Sequence, residues 1–112
     1  MRRALGRLLK VSGFGVVTFG SGEEFLAQLG REPPPACVVL DIQMAGMTGF
    51  DVCAALNQRQ SRIPVILITA HNDSDTWANL RAATAVAWLF KPVDEGALID
   101  AVTRAAGLSR DA

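Results

Sequence analysis

The chain has 112 residues, enough for one domain with a real core and too few for two, and its eleven basic and eleven acidic residues cancel without a run of either sign. That balance lacks the positive footprint of a nucleic-acid binder, so direct DNA or RNA binding is not expected. Half the residues are hydrophobic, yet no apolar run nears the roughly 20 residues of a membrane span and no signal-peptide core opens the sequence, so a soluble, cytoplasmic protein is expected.

Met1 to Ser12 sets Leu5, Leu8, Leu9 and Ser12 at helical spacing among Arg2, Arg3, Arg7 and Lys10, with Gly13 as a C-cap. This helix has no N-cap: Ser, Thr, Asp and Asn are all missing from Met1–Arg3. Gly15-Val16-Val17-Thr18-Phe19 reads as a short strand. Ser21 with Glu24 forms a capping box for a helix carrying Phe25, Leu26 and Leu29, closed by Gly30. Pro33-Pro34-Pro35 then gives a stiff connection into a strand from Ala36 to Leu40, after which Asp41 is delivered where the strand opens into a loop.

Gly46, Thr48 and Gly49 allow a tight turn beside that carboxylate, and Phe50 to Gln60 follows as an amphipathic helix ending before Pro64. Val65-Ile66-Leu67-Ile68 is a buried strand running into Thr69-Ala70-His71, and Asn72, Asp73 and Ser74 offer caps for a weakly patterned helix with Trp77 and Leu80. Val86 to Phe90 is a further strand ending in Lys91-Pro92. Asp94 caps a last helix with Leu98, Ile99, Val102 and Ala105, and Gly107 is expected to close it. Cys37 and Cys53 have neither metal-knuckle nor redox-pair spacing and read as reduced, buried thiols.

Alternating helices and strands, three of the strands apolar throughout, predict an α/β fold with a parallel sheet covered on both faces. Right-handed crossovers make it a doubly wound sandwich whose functional edge lies at the carboxyl ends of the strands. Three apolar strands end there in Asp41, Thr69 and Lys91. A carboxylate can attack a phosphoryl group, a hydroxyl can hydrogen-bond a phosphoryl oxygen and an ammonium can neutralise the resulting charge. Taken singly, each has a plainer reading as a loop acid, a β-former or a solvated strand end; it is the coincidence of all three that points to chemistry.

The segments VVLDIQMAGMTGFDV, IPVILITAHND and AVAWLFKPVDEGALIDAV, in that order and spacing, resemble the receiver domain of bacterial two-component response regulators, especially the group fused to helix-turn-helix output domains. The likeness runs over nearly the whole chain, with the receiver domain at residues 1–108 and a C-terminal tail at 109–112. It implies a flavodoxin-like fold and phosphorelay signalling, with a sensor histidine kinase as partner and no enzyme activity beyond weak autophosphatase action. By the resemblance Asp41 is the phosphoacceptor, Thr69 the switch hydroxyl and Lys91 the phosphate-contacting lysine, with a cis Lys91–Pro92 bond. Trp88 matches the switch aromatic; its plainer reading is an ordinary core aromatic.

Ala45 stands where the family usually has Pro, and Ala85 or Val86 near its usual Gly, which bears on loop stiffness more than on chemistry. His71, two residues after Thr69, is read as an exposed loop histidine. The larger departure is at the front. Receivers begin with an apolar strand ending in acidic residues that hold Mg²⁺ with the phosphoacceptor, and that strand is not in the sequence, so the fold is expected to be N-terminally incomplete. Asp41 and the Gln43 backbone carbonyl remain as an incomplete metal site, and Mg²⁺ binding is expected to be weak or absent. Phosphoryl transfer without the metal loses its main charge stabiliser and is expected to be impaired.

In the family's strand order 2-1-3-4-5 the missing strand lies between Val16–Phe19 and Ala36–Leu40, which would be left about 9–10 Å apart. Either the two close up or the exposed edges pair with another chain, and self-association is the favoured expectation. The alternative function is a degenerate receiver acting as a phosphorylation-independent interaction module. An aspartate-nucleophile phosphatase is a weaker option, because the second Asp expected two residues after the nucleophile is Gln43. The position matching Met1 is commonly Val in receivers, and a GTG valine codon can be read as a start. The same frame extended upstream by about 10–15 residues is therefore expected to encode an apolar run followed by two acidic residues.

Overall fold

The computed structural model describes residues 2–31, 33–43, 46–70 and 74–111; of residues 2–4 and 108–111 the backbone alone is described. Among these residues five helices and three strands follow one another as α1 (Arg2–Val11), α2 (Gly22–Leu29), β1 (Val38–Asp41), α3 (Gly49–Gln58), β2 (Val65–Thr69), α4 (Ser74–Ala82), β3 (Ala87–Phe90) and α5 (Glu95–Asp111). The strands form a parallel sheet in the order β1-β2-β3. All five residues of β2 are buried, as an apolar run without alternation requires of a central strand covered on both faces.

Two apolar layers enclose the sheet. Leu40, Val65, Leu67 and Leu80 pack with Phe25, Leu26, Val52, Cys53 and Leu56 on the side of α2, α3 and α4. Ile66 packs with Leu9, Leu98, Val102 and Ala105 on the side of α1 and α5. Successive residues of a strand point to opposite faces, so β2 feeds Val65 and Leu67 into one layer and Ile66 into the other. The doubly wound, flavodoxin-like arrangement expected from the alternation is the one observed.

Element ends shift by a residue or two for local reasons. Asp41 is the last residue of β1, held in the ladder opposite Ile68. The last helix passes through Gly107 to Asp111, since one glycine among good helix formers costs only about 1 kcal/mol. Thr48 and Asp51 make a reciprocal capping box for α3 that sequence reading did not pick out. The capping residues Asn72 and Asp73 expected for α4 lie outside the described residues.

The strand expected at Val16–Phe19 is corrected. Residues 14–19 carry no strand assignment, and among the described residues no main-chain hydrogen bond joins residues 14–18 to β1. The segment does keep a strand's alternation. Phe14 and Val16 pack toward the α1–α5 layer, Val17 is 79% exposed and Phe19 turns to the other layer, edge-on to Phe25. A strand-prone sequence becomes a strand only when a ladder accepts its backbone groups. Closure of this segment against β1 is likewise not what the structure adopts: a groove of about 1370 Å³ separates them.

Candidate functional site

The register of the ladder sets the working edge. Asp41 lies level with Ile68 and Thr69 with Phe90, while the amide of Ile42 donates to the Ile68 carbonyl at 2.8 Å and that of Lys91 to the Thr69 carbonyl at 2.8 Å. All three strands therefore end together. Lys91 Nζ and Asp41 Oδ2 form an ion pair at 2.6 Å, with side chains 28% and 20% exposed. The other carboxylate oxygen, Oδ1, accepts the Gln43 amide at 2.9 Å.

Thr69 is wholly buried. By strand parity its side chain lies on the Leu67 and Trp88 face, whereas Asp41 and Lys91 share the opposite parity. The structure thus joins two of the three predicted residues in direct contact and places the third one strand away on the same edge. Trp88 meets Trp77 of α4 edge-on at 6.1 Å, and Trp77 meets Phe90 at 5.3 Å. These are packing contacts on the Thr69 side of the sheet. Lys91 is followed by a cis bond to Pro92, and Asp94 caps α5 just beyond, accepting the Ala97 amide at 2.8 Å.

The loop from β1 to α3 is pinned from two sides. A Cβ on Gly49 would lie 3.1 Å from the Asp41 carbonyl oxygen and 3.1 Å from Ile42 Cα, so any side chain there would push α3 and the strand end apart by a few tenths of an ångström. Gly46 has φ +76°, and a Cβ there would meet the Glu23 carboxylate at 2.9 Å. Glu23 reaches across from α2 and accepts the Met47 amide at 2.8 Å. Sequence reading did not single out Glu23. Gly46 was the available signal, because a left-handed residue exposes its neighbour's amide to a nearby acceptor.

Met44, Ala45 and His71 lie outside the described residues. Among the described residues no three of His, Cys, Asp and Glu gather to hold a metal ion. Among the described residues the donors at this edge are one carboxylate, already paired with Lys91, and the Gln43 backbone. That set does not fit Mg²⁺, which needs more oxygen ligands than it provides.

Comparison with known proteins agrees with the geometry. The family model for the response regulator receiver domain matches residues 1–103. The chain is 37% identical over 105 residues to nodulation protein W of Bradyrhizobium diazoefficiens, covering 94% of this chain and 46% of that protein. It is 32% identical over 111 residues to the transcriptional regulatory protein FixJ of Azorhizobium caulinodans, covering 99% and 52%. The chain thus spans about half the length of these curated relatives. Among solved structures, a response regulator receiver protein from Burkholderia phymatum superposes with TM-score 0.80 at 39% identity, covering 95% of this chain and 86% of that one. The crystal structure of FixJ-N superposes with TM-score 0.85 at 31% identity, covering 95% and 84%. No described helix is long and apolar enough to cross a membrane. With its parallel sheet, its Asp41–Lys91 pair at the strand ends and a family match over most of its length, the chain belongs to the response regulator receiver domain family.

Proposed function

We propose that this receiver takes a phosphoryl group from a sensor histidine kinase onto Asp41, in the cytoplasm, and does so slowly. The Asp41–Lys91 ion pair at the common end of the strands carries the reading. An Asp41 carboxylate oxygen attacks phosphorus, a P–O bond forms as the P–N bond to the kinase histidine breaks, and the departing imidazole nitrogen takes up a proton. Lys91 then meets the dianionic phosphoryl oxygens in place of the carboxylate, and the Thr69 hydroxyl, buried on the other face of the sheet, donates to one of them once its side chain has turned toward the strand ends. Trp88, on the Thr69 face beside α4, is the aromatic that would follow this change.

The family generally binds Mg²⁺, and the described residues do not fit it, so no step is routed through the metal. Transition-state charge then rests on Lys91 and Thr69 alone, which is why transfer is slow and any autophosphatase activity weak. The same misfit favours a second reading, an interaction module that is never phosphorylated. With one sheet edge open, the chain is also expected to self-associate at high concentration.

A time course with a small phosphodonor such as acetyl phosphate, followed by intact mass with and without Mg²⁺, separates these readings. Slow gain of one phosphoryl group with little Mg²⁺ dependence supports the proposal. No gain over many hours favours the interaction module, and rapid stoichiometric Mg²⁺-dependent gain overturns the claim of impairment.

A further inference from the structure

Between the end of β1 and the start of α3 the chain crosses a loop, and the orientation of the Asp41 carboxylate depends on how that loop is held. At its base the Gly49 amide donates to the Ile42 carbonyl at 3.2 Å, and the Gln43 amide donates to Asp41 Oδ1 at 2.9 Å. With Oδ2 on Lys91, a single setting of the carboxylate serves both of its oxygens. The Gln43 bond spans only two positions of an exposed loop, and a bond of that kind adds little net stability. It persists only if the rest of the loop keeps Gln43 in place.

Glu23 supplies that hold from another element. Its Oε1 accepts the Met47 amide at 2.8 Å, and its carboxylate lies over Gly46, where a Cβ would sit 2.9 Å from Oε2 and 3.0 Å from Oε1. The platform beneath it is firm. Phe25 and Leu26 of α2 are buried in one layer with Val52, Cys53 and Leu56 of α3, the N-cap Ser21 accepts the Glu24 amide at 3.1 Å, and Arg59, the C-cap of α3, donates from Nη1 to the Leu26 carbonyl at 3.2 Å. We infer that Glu23 is a positioning residue for phosphoryl transfer: by holding the loop at Met47 it keeps the Gln43 amide on Asp41 Oδ1 and so holds the nucleophile in one orientation beside Lys91. The inference rests on Asp41 being the phosphoacceptor. Glu23 touches neither the phosphodonor nor the reacting atoms and acts through the loop. A carboxylate already oriented reacts in a larger share of its encounters than one that must first find its setting.

Amide hydrogen exchange at Met47 and Gln43 is read in the whole chain alongside the rate of phosphoryl gain from acetyl phosphate, followed by intact mass. In Glu23→Ala both amides are expected to exchange about tenfold faster, the worth of one hydrogen bond to a carboxylate, and phosphoryl gain to slow about tenfold. Glu23→Gln keeps a side-chain oxygen acceptor and should stay within about twofold of the unsubstituted chain on all three readouts. Leu29→Ala, at the far end of α2 and packed on its core, lowers global stability without touching the loop, and should leave all three unchanged because loop amides open locally. Faster exchange at Met47 with Gln43 unchanged, an unchanged rate of phosphoryl gain in a chain that reacts, failure of Glu23→Gln to restore the readouts, or an equal effect of Leu29→Ala overturns the proposal. An unsubstituted chain that gains no phosphoryl group contradicts the receiver reading itself, and exchange at Gln43 then still decides whether Glu23 orients Asp41.

Discussion

The two sides of β1 belong to the same four residues and have opposite fates. Toward β2 the strand enters a parallel ladder, and the β2 residues it pairs with are all buried. On the far side, residues 14–19 hold a strand's alternation, and among the described residues no main-chain hydrogen bond joins residues 14–18 to β1. Sequence propensity is similar in the two places. What differs is the presence of a partner.

The comparison predicts very unequal mutational costs. Leu67→Ala, at a position without solvent exposure, is expected to lower unfolding free energy by about 2–5 kcal/mol, read from urea transitions. Val17→Thr, on the groove side and 79% exposed, should stay within about 0.5 kcal/mol. A large loss at Val17 would break the comparison by showing that the segment is already paired in solution.

A middle-sized effect sharpens it at the loop after Asp41. Gly46→Ala forces a Cβ onto a left-handed residue and against the Glu23 carboxylate, and should cost about 1–3 kcal/mol. Glu23→Ala removes the acceptor of the Met47 amide and should cost about 1 kcal/mol. If Glu23 does tether the loop, the double variant will lose less than the sum of the two.

Smaller still is the ion pair. Lys91→Ala should change stability by less than about 1 kcal/mol, because the pair is partly solvated, yet it should abolish detectable phosphoryl transfer in the mass assay. Equal loss of folding and transfer would make the pair structural. The least effect is expected from the thiols. Burial pushes Cys37 and Cys53 up from their ordinary value of 9.0. The folded chain therefore keeps protons that the unfolded chain releases, and stability is full below pH 9 and falls as pH rises through the raised values. Thermal melts from pH 7 to 10 check this.

Much of the fold was legible because β2 and its neighbours write burial directly: Val65–Ile68 is apolar without alternation, and only a two-sided core accepts that. The strand ends Asp41, Thr69 and Lys91 were legible because each is a polar residue that closes an apolar run. The failure at Val16–Phe19 has a physical cause: period-two alternation reports which face a residue shows, while pairing depends on another segment. Glu23 was missed for a related reason. Its partner is a main-chain amide 24 positions away, and nothing in residue type announces such a bond.

The most direct test asks where the phosphoryl group goes. The chain is exposed to acetyl phosphate until a phosphoryl mass gain is seen, then reduced with borohydride, which converts an aspartyl phosphate to homoserine, and mapped by peptide mass. The account predicts homoserine at position 41 alone and no gain in Asp41→Asn. Homoserine at any other position, or a mass gain that survives in Asp41→Asn, would contradict it.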